Sequence, residues 1–248
     1  MQFHQSKRLV GAALVALLAA ACDSSDGNNG LGTAGQGTTP PAATATFDVT
    51  VTNLTNGQPL SPIAVIAHQN TFPVFEIGQP ASAGLETLAE AGDNSALLND
   101  ASGAAGIGDT ASGGAPIGPA GSETVSLTMD ATGLNLMTIS VSTMLVNTND
   151  AITGVNDVPV GDMAVGDSVT LRAIAYDAGT EANTETAATI PGPAGGGEGF
   201  NAARDDIADR VAMHPGVVGQ DDGLATSDLT GQHRFDNPVA QITIERTN

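Results

Sequence analysis

The sequence predicts a mainly β protein, an antiparallel β-sandwich with a short helical insertion and long loops rich in Gly, Ala and Pro. Its 248 residues include 31 Gly and 13 Pro, about twice the share found in average helical proteins, which argues against a helical bundle. Several segments alternate apolar and polar residues, as half-buried strands do. Helical spacing is confined to short segments, so we expect the strands to pair with one another in two packed layers.

The first part of the predicted domain contains two strands and a helical segment. Residues 47–53 alternate strictly and predict a strand that ends before the turn signal Asn56-Gly57. Residues 63–68 are more continuously apolar and predict a second strand. Residues 82–98 carry leucines at helical spacing with Gly92 between them, which predicts one or two short helices.

The middle of the chain combines a long loop with further strands. Residues 101–121 are mostly small residues and Pro, with Ile107 and Ile117 as apolar anchors, so we expect a mobile surface loop. Alternating or continuously apolar segments predict strands at 125–129, 136–146, 168–176 and 239–244.

One more helix is expected near the C-terminal end. Residues 202–213 have the spacing of a short amphipathic helix, with Ile207 and Val211 facing inward. The glycine run at 195–199 lacks the Lys-Ser or Lys-Thr pair of a phosphate-binding loop, so we expect an ordinary loop there.

The N-terminal residues 1–21 predict a secretory signal peptide. Two cations precede the apolar stretch 9–21, which is too short to span a bilayer. The segment from Leu18 to Cys22 resembles a bacterial lipoprotein cleavage box, with Ala19 where such boxes usually carry Leu. We expect Cys22, the single cysteine of the chain, to be lipidated and to anchor the protein. The alternative is ordinary cleavage that leaves a free thiol.

A flexible tether is predicted to follow the signal peptide. Residues 22–46 begin at the lipidated cysteine and continue with small and polar residues, and the folded domain is expected to cover residues 47–248. This arrangement predicts a protein of the bacterial cell envelope that is lipid-anchored, or one that is secreted if Cys22 is not lipidated.

The charge of the chain is strongly negative. Seven Lys and Arg stand against 27 Asp and Glu, which gives a net charge of −20 and excludes a nucleic-acid-binding surface. Such a surface attracts cations, divalent ones most strongly. Adaptation to a salty medium is the alternative explanation of the charge as a whole.

Two predicted strands run directly into acidic segments, residues 148–154 and 176–181. Loops that follow such strands lie at one rim of a sandwich, where Asp150, Asp177 and Glu181 can converge without being buried in the core. Calcium takes about six to eight oxygen ligands from carboxylates, carbonyls and water. The sequence is therefore compatible with a calcium site at this rim, but the spacing alone favours solvated turn carboxylates.

A helix-loop-helix calcium loop does not fit the same segment. Counting from Asn149 places Gly154 at the sixth position, as that loop requires, but Val160 occupies the twelfth position, where a bidentate acid belongs.

Five ordered motifs together resemble the bacterial branch of the spondin domain family, and the resemblance extends from Phe47 to Glu245. The motifs are VTNLT with QPLSP at 51–62, GQPAS with GL at 78–85, MLV leading into TND at 144–150, YDAGTE at 176–181 and DNPVA at 236–240.

This resemblance implies a C2-like β-sandwich of the kind found in extracellular proteins. It also implies a Ca²⁺ ion held by one acid of the first rim loop and two acids of the Asp-Ala-Gly-Thr-acid loop, which correspond to Asp150, Asp177 and Glu181. Glu181 departs from the animal domains, which carry Asp at that position. A longer side chain can still chelate the ion, so the departure affects the geometry and affinity of the site.

An enzyme is the less favoured hypothesis. Gly166-Asp167-Ser168 resembles the nucleophile block of some esterases, but Ser168 opens a strand and the candidate partners Asp228 and His233 are five residues apart. The histidines at 68, 214 and 233 are scattered and form no zinc pair. We therefore expect no catalysis, with a secreted serine hydrolase using Ser168 as the alternative.

The sequence as a whole favours an envelope-anchored or secreted calcium-binding module that acts in binding or adhesion. Its partner would be an unidentified protein or glycan, its contact with the membrane would be through the lipid alone, and the domain would be monomeric. A structural envelope protein whose strand edges pair with neighbours is a further alternative.

Overall fold

The computed structural model describes residues 42–248, and two antiparallel β-sheets dominate this part of the chain. The predicted signal peptide, Cys22 and residues 22–41 of the predicted tether lie outside the described residues. In chain order, the α-helices and strands are β1 (Thr44–Asn53), β2 (Ala64–His68), α1 (Ala83–Ala91), α2 (Ser95–Ser102), β3 (Ile107–Ser112), β4 (Ser122–Asp130), β5 (Thr138–Met144), β6 (Ala151–Pro159), β7 (Ser168–Ala173), β8 (Ala175–Asp177), β9 (Ala212–Met213) and β10 (Ala240–Arg246).

The strands form one sheet of four, in the order β4-β1-β10-β7, and one sheet of six, in the order β3-β2-β5-β6-β8-β9. All pairings are antiparallel. The prediction of a mainly β antiparallel sandwich with a short helical insertion is confirmed. The strand β1 begins at Thr44, so the last three residues assigned to the tether belong to the domain.

The main core lies between the two sheets. Strict alternation in β1 turns Phe47, Val49 and Val51 inward, where they are fully buried, and β10 contributes Ile242 and Ile244 beside them. Full burial of each such side chain contributes about 1.5–3 kcal/mol. The alternation of polar and apolar residues therefore fixes which face of the four-stranded sheet meets the other sheet.

The two helices cover the outer face of the six-stranded sheet. Leu85, Leu88 and Leu97 pack there against Ile66 and Ile152 in a second apolar cluster. The strand β2 is consequently buried on both faces, which explains its continuous apolar sequence.

The boundaries of α1 have local causes. The Ser82 hydroxyl accepts a hydrogen bond from the Leu85 N–H at 3.1 Å and caps the first turn. Gly92 ends the helix in a left-handed conformation, with φ of 68°. The predicted interruption at Gly92 is confirmed, because α2 begins three residues later.

Two sequence predictions for segments between the recognised elements are wrong. Residues 101–121 are not one loop, because β3 lies within them as an edge strand paired with β2. Because β3 is an edge strand and the neighbouring β2 supplies the buried apolar residues, β3 itself needs no apolar run. Residues 202–213 form no helix: Ile207 is fully exposed, and the buried Val211 exchanges backbone hydrogen bonds of 2.8 Å with residues 78 and 79.

The predicted strand at 168–176 is two strands in different sheets. The chain leaves the four-stranded sheet at the end of β7 and enters the six-stranded sheet at β8, with Ile174 alone between them. Residues 151–154, expected in a loop, instead begin β6. None of the helices between residues 42 and 248 is long and apolar enough to cross a membrane.

Candidate metal centre

Asp150 and Asp177 meet where β6 and β8 pair. The register places Ala151 opposite Asp177, and the N–H of Ala178 donates to the backbone carbonyl of Asp150 at 3.2 Å. The predicted placement of these two acids at neighbouring strand ends is therefore observed.

The Asp150 side chain holds the loop that leaves β8. Its Oδ2 accepts hydrogen bonds from the N–H of Thr180 at 2.7 Å and of Glu181 at 3.1 Å. The carboxylate is fully buried, whereas the sequence predicted rim acids that stay out of the interior. That expectation is wrong, because the loop after β8 folds over the carboxylate and excludes solvent from it.

Asp177 shapes the turn that follows it. Its Oδ1 accepts from the Gly179 N–H at 2.8 Å, and its Oδ2 accepts from the Asn183 side-chain amide at 2.6 Å. Gly179 has a φ of 74°, and a Cβ at this position would collide with the backbone of Arg210. Glycine is thus needed here both for its conformation and for the close approach of the two segments.

Glu181 is buried in the same loop. Its Oε2 accepts a long hydrogen bond of 3.4 Å from the side-chain amide of Asn149, whose oxygen accepts from the Glu185 N–H at 3.1 Å. A small polar cavity of about 40 Å³ adjoins Glu181 and is also lined by Glu198 and Asp205.

The electrostatics of this cluster disfavour the ionised forms of its acids. Burial raises the pKa of Asp150 to about 7, and the charge of Asp177 adds to this effect. Burial also raises the pKa of Glu181 to about 8, with the charge of Glu90 as the next cause. Burial likewise raises the pKa of Asp177. Each of these carboxylates is ionised only against a cost in desolvation and repulsion.

Within residues 42–248, no ion pair includes any of the three acids. The nearby guanidinium of Arg204 is engaged elsewhere, with Glu86 at 2.6 Å and Asp209 at 2.8 Å. The described residues therefore supply hydrogen-bond donors to these three acids, but no Arg, Lys or His forms an ion pair with them.

Between residues 42 and 248, four buried carboxylate oxygens have no hydrogen-bond partner: Oδ1 of Asp150, Oε1 of Glu90, Oε2 of Glu123 and Oε2 of Glu185. Glu90 was not predicted as a site residue. It lies on α1, where its Oε2 accepts from the Asn201 N–H at 2.8 Å. Glu90 lies in the segment predicted to be helical, and sequence spacing could not reveal that a segment more than a hundred residues away covers it.

The donor set consists of oxygen atoms, which suit calcium. In the described part of the chain, however, no three His, Cys, Asp or Glu side chains are arranged so that they could hold a metal ion as they stand. Among the three predicted acids, Asp150 fits the role of a ligand best, because one of its oxygens is buried and has no hydrogen-bond partner. Asp177 and Glu181 belong to the loop held by Asp150. Their side chains would need to turn toward the free oxygen of Asp150 to share an ion with it.

The residues of the hydrolase hypothesis are bound to other partners. His233 Nδ1 accepts from the Thr230 N–H at 3.1 Å, and Asp228 Oδ2 accepts from the Ala187 N–H at 2.7 Å. Ser168 opens β7, as predicted, instead of a strand-to-helix turn. Between residues 42 and 248, no hydrogen bond joins any two of Ser168, Asp228 and His233.

The chain matches the model of a known protein family. The family model described as Spondin_N matches residues 53–191, more than half of the chain, and this range contains Asp150, Asp177 and Glu181. A search of curated proteins finds no match.

Proposed function

The chain belongs to the Spondin_N family, an extracellular-type module outside the known enzyme families, and from this premise we propose that it is a calcium-binding domain that acts in binding or adhesion. Its ligand would be a protein or a glycan outside the cell. The calcium ion would have a structural role, holding the rim of the sandwich in the conformation that meets the ligand.

The observation that carries this proposal is the free Oδ1 of Asp150. This oxygen is buried, has no hydrogen-bond partner, and belongs to a carboxylate adjacent to Asp177 in the β6–β8 pairing. A buried carboxylate oxygen without a donor costs about 1–3 kcal/mol or more. A bound cation would remove that cost and the repulsion between the acids at the same time.

Asp150, Asp177 and Glu181 are the residues that would hold the ion, and loop carbonyls and water would complete its oxygen ligands. The bound ion would supply positive charge and no chemical step. The hydrogen bonds from Thr180 and Glu181 to the other oxygen of Asp150 support this assignment, because they fix the loop around the free oxygen.

We further propose that the domain is attached to the cell envelope through Cys22. The cleavage-box resemblance and the small, polar residues between Cys22 and β1 support a lipid anchor followed by a spacer. Cys22→Ser should move the protein from the membrane fraction to the soluble fraction. Retention of the variant with the membranes would contradict the anchor and leave the calcium proposal unaffected.

Isothermal titration calorimetry tests the metal site directly. Calcium added to chelator-treated protein should bind with a stoichiometry near one, and Asp150→Asn should abolish the binding heat. Asp221→Asn is the matched control, because Asp221 is exposed and outside the cluster. Equal calcium binding by all three proteins, or none by the wild type, would contradict the proposal.

A further inference from the structure

An apolar groove of about 620 Å³ lies along the open edge of the sandwich, between β6 and β7. Its walls include Phe75, Ile77, Val155, Leu171 and Tyr176. The rings of Phe75 and Tyr176 pack with centroids 4.9 Å apart, and Ile77 is 58% exposed. This volume and lining are typical of a binding site.

The opposite edge of the sandwich is closed. There, β3 and β4 lie together, and Asp109 Oδ2 accepts a hydrogen bond from the Thr128 N–H at 2.7 Å. At the groove, β7 is the last strand of its sheet, and β8 pairs with β6 only as far as Thr153. Among residues 42–248, strand partners are therefore missing on the outer side of β7 and, for residues 154–159 of β6, on the side away from β5.

The groove carries a cation on a strongly acidic protein. Arg172 of β7 is exposed, and within residues 42–248 it forms no ion pair or side-chain hydrogen bond, although the chain has a net charge of −20. The acid on the opposite wall, Asp157, faces the buried ring of His68, whose Nε2 lies 3.6 Å from its Oδ1. Arg172 thus remains available to an anionic group of a ligand.

We propose that this groove binds an extended peptide in which apolar and acidic residues alternate, and that the peptide adds a strand to the free edge of β7. The side chains of β7 already divide in this way: Val169 and Leu171 are half-buried against the core, and Leu171 also lines the groove, while Thr170 and Arg172 are exposed. On an added strand, alternate side chains would enter the groove, and those between them would lie beside Arg172.

Backbone hydrogen bonds to β7 would supply sequence-independent affinity, and the opposite-charge pair with Arg172 would supply selectivity. This inference goes beyond the calcium site, because the groove and the acidic cluster use different residues. The groove also differs from a catalytic pocket, because it would recognise its ligand through the backbone edge of β7, its apolar walls and the guanidinium of Arg172.

Fluorescence anisotropy with a labelled seven-residue peptide of alternating Val and Glu tests the proposal. Because Val and Glu alternate strictly, a shift of the peptide by two residues along β7 again places a Glu near Arg172. The peptide should bind the wild type, and Arg172→Glu should weaken binding about fivefold or more, because it replaces an attraction by a repulsion. A seven-residue peptide of alternating Val and Lys should show the reverse preference and bind Arg172→Glu more tightly than the wild type. Arg234→Glu, which makes the same charge change outside the groove, should leave the affinity unchanged.

Ile77→Asp should weaken both peptides, since it places a charge in the apolar trough. Circular dichroism and calcium titration of each variant should match the wild type. No binding of the Val and Glu peptide at about 1 mM, equal affinity for the two peptides, or equal effects of Arg172→Glu and Arg234→Glu would overturn the proposal. A concentration-dependent dimer in light scattering that Ile77→Asp abolishes would instead assign the edge to a second copy, and would also overturn it.

Discussion

The buried carboxylate of Asp150 accepts a hydrogen bond from the backbone N–H of Thr180 at 2.7 Å, so an acid directly before β6 fixes the loop that follows β8. One oxygen of Asp150 thus has a structural role, and the other is free. Substitutions at Asp150 can therefore separate the structural role of one oxygen from the proposed metal-binding role of the other.

Asp150→Asn should keep an oxygen that accepts from Thr180 and Glu181, whereas Asp150→Ala removes the acceptor. We expect Asp150→Ala to lower the free energy of unfolding in EDTA by about 2–4 kcal/mol, because two buried N–H groups lose their partner. Asp150→Asn should cost about 1 kcal/mol or less, since it also removes repulsion from Asp177. Urea denaturation measures both, and equal losses would show that the hydrogen bonds to Asp150 do not hold the loop.

Gly179→Ala should be far more damaging than Gly196→Ala. Both glycines have positive φ, 74° and 75°, but a Cβ at Gly179 meets the backbone of Arg210, while nothing lies within 4 Å of a Cβ at Gly196. Conformational strain alone should cost about 1–2 kcal/mol at each site. The additional collision should raise the loss at Gly179 and abolish calcium binding. Thermal unfolding and calcium titration of the two variants compare them, and equal behaviour would contradict the assigned packing.

His214 should make the domain less stable in acid. Burial lowers its pKa to about 4, and its ring packs on Phe235 with centroids 5.4 Å apart. The unfolded chain takes up the proton near pH 6.5, so the stability contributed by neutral His214 is complete above that pH and is lost as the pH falls toward about 4. The loss should approach about 3 kcal/mol at the acid end.

Urea denaturation of the wild type and His214→Gln at several pH values isolates this effect. The difference in unfolding free energy between the two proteins should change steadily between about pH 6.5 and 4, in the direction that disfavours the wild type as the pH falls. Parallel pH profiles would show that His214 is not buried in its neutral form.

Much of this architecture can be predicted from the sequence because it is locally encoded. Strict alternation in β1 reports a half-buried strand, and the continuous apolar run of β2 reports a strand covered on both faces. The Tyr-Asp-Ala-Gly-Thr-Glu segment places Asp177 at the end of a strand and Gly179 in the turn that needs a positive φ.

The features that the sequence did not predict depend on contacts between distant segments. Asp150 is buried because residues 178–181 fold over it, and Glu90 is buried beneath the segment that contains Asn201. Val211 lies in an extended segment because its backbone pairs with residues 78 and 79, which overrides the helical spacing of its neighbourhood.

Differential scanning calorimetry in EDTA, and then with added calcium or magnesium, tests the calcium-binding account most directly. A ligand that binds the folded state alone stabilises it by about 2.7 kcal/mol at a hundredfold excess over Kd. We predict that calcium raises the melting temperature by about 5–10 °C. Magnesium should have little effect, because it requires a tight octahedral arrangement of ligands. Asp177→Asn should abolish the shift in melting temperature that calcium causes. Identical melting curves in EDTA, calcium and magnesium, with no metal in elemental analysis of untreated protein, would contradict the account.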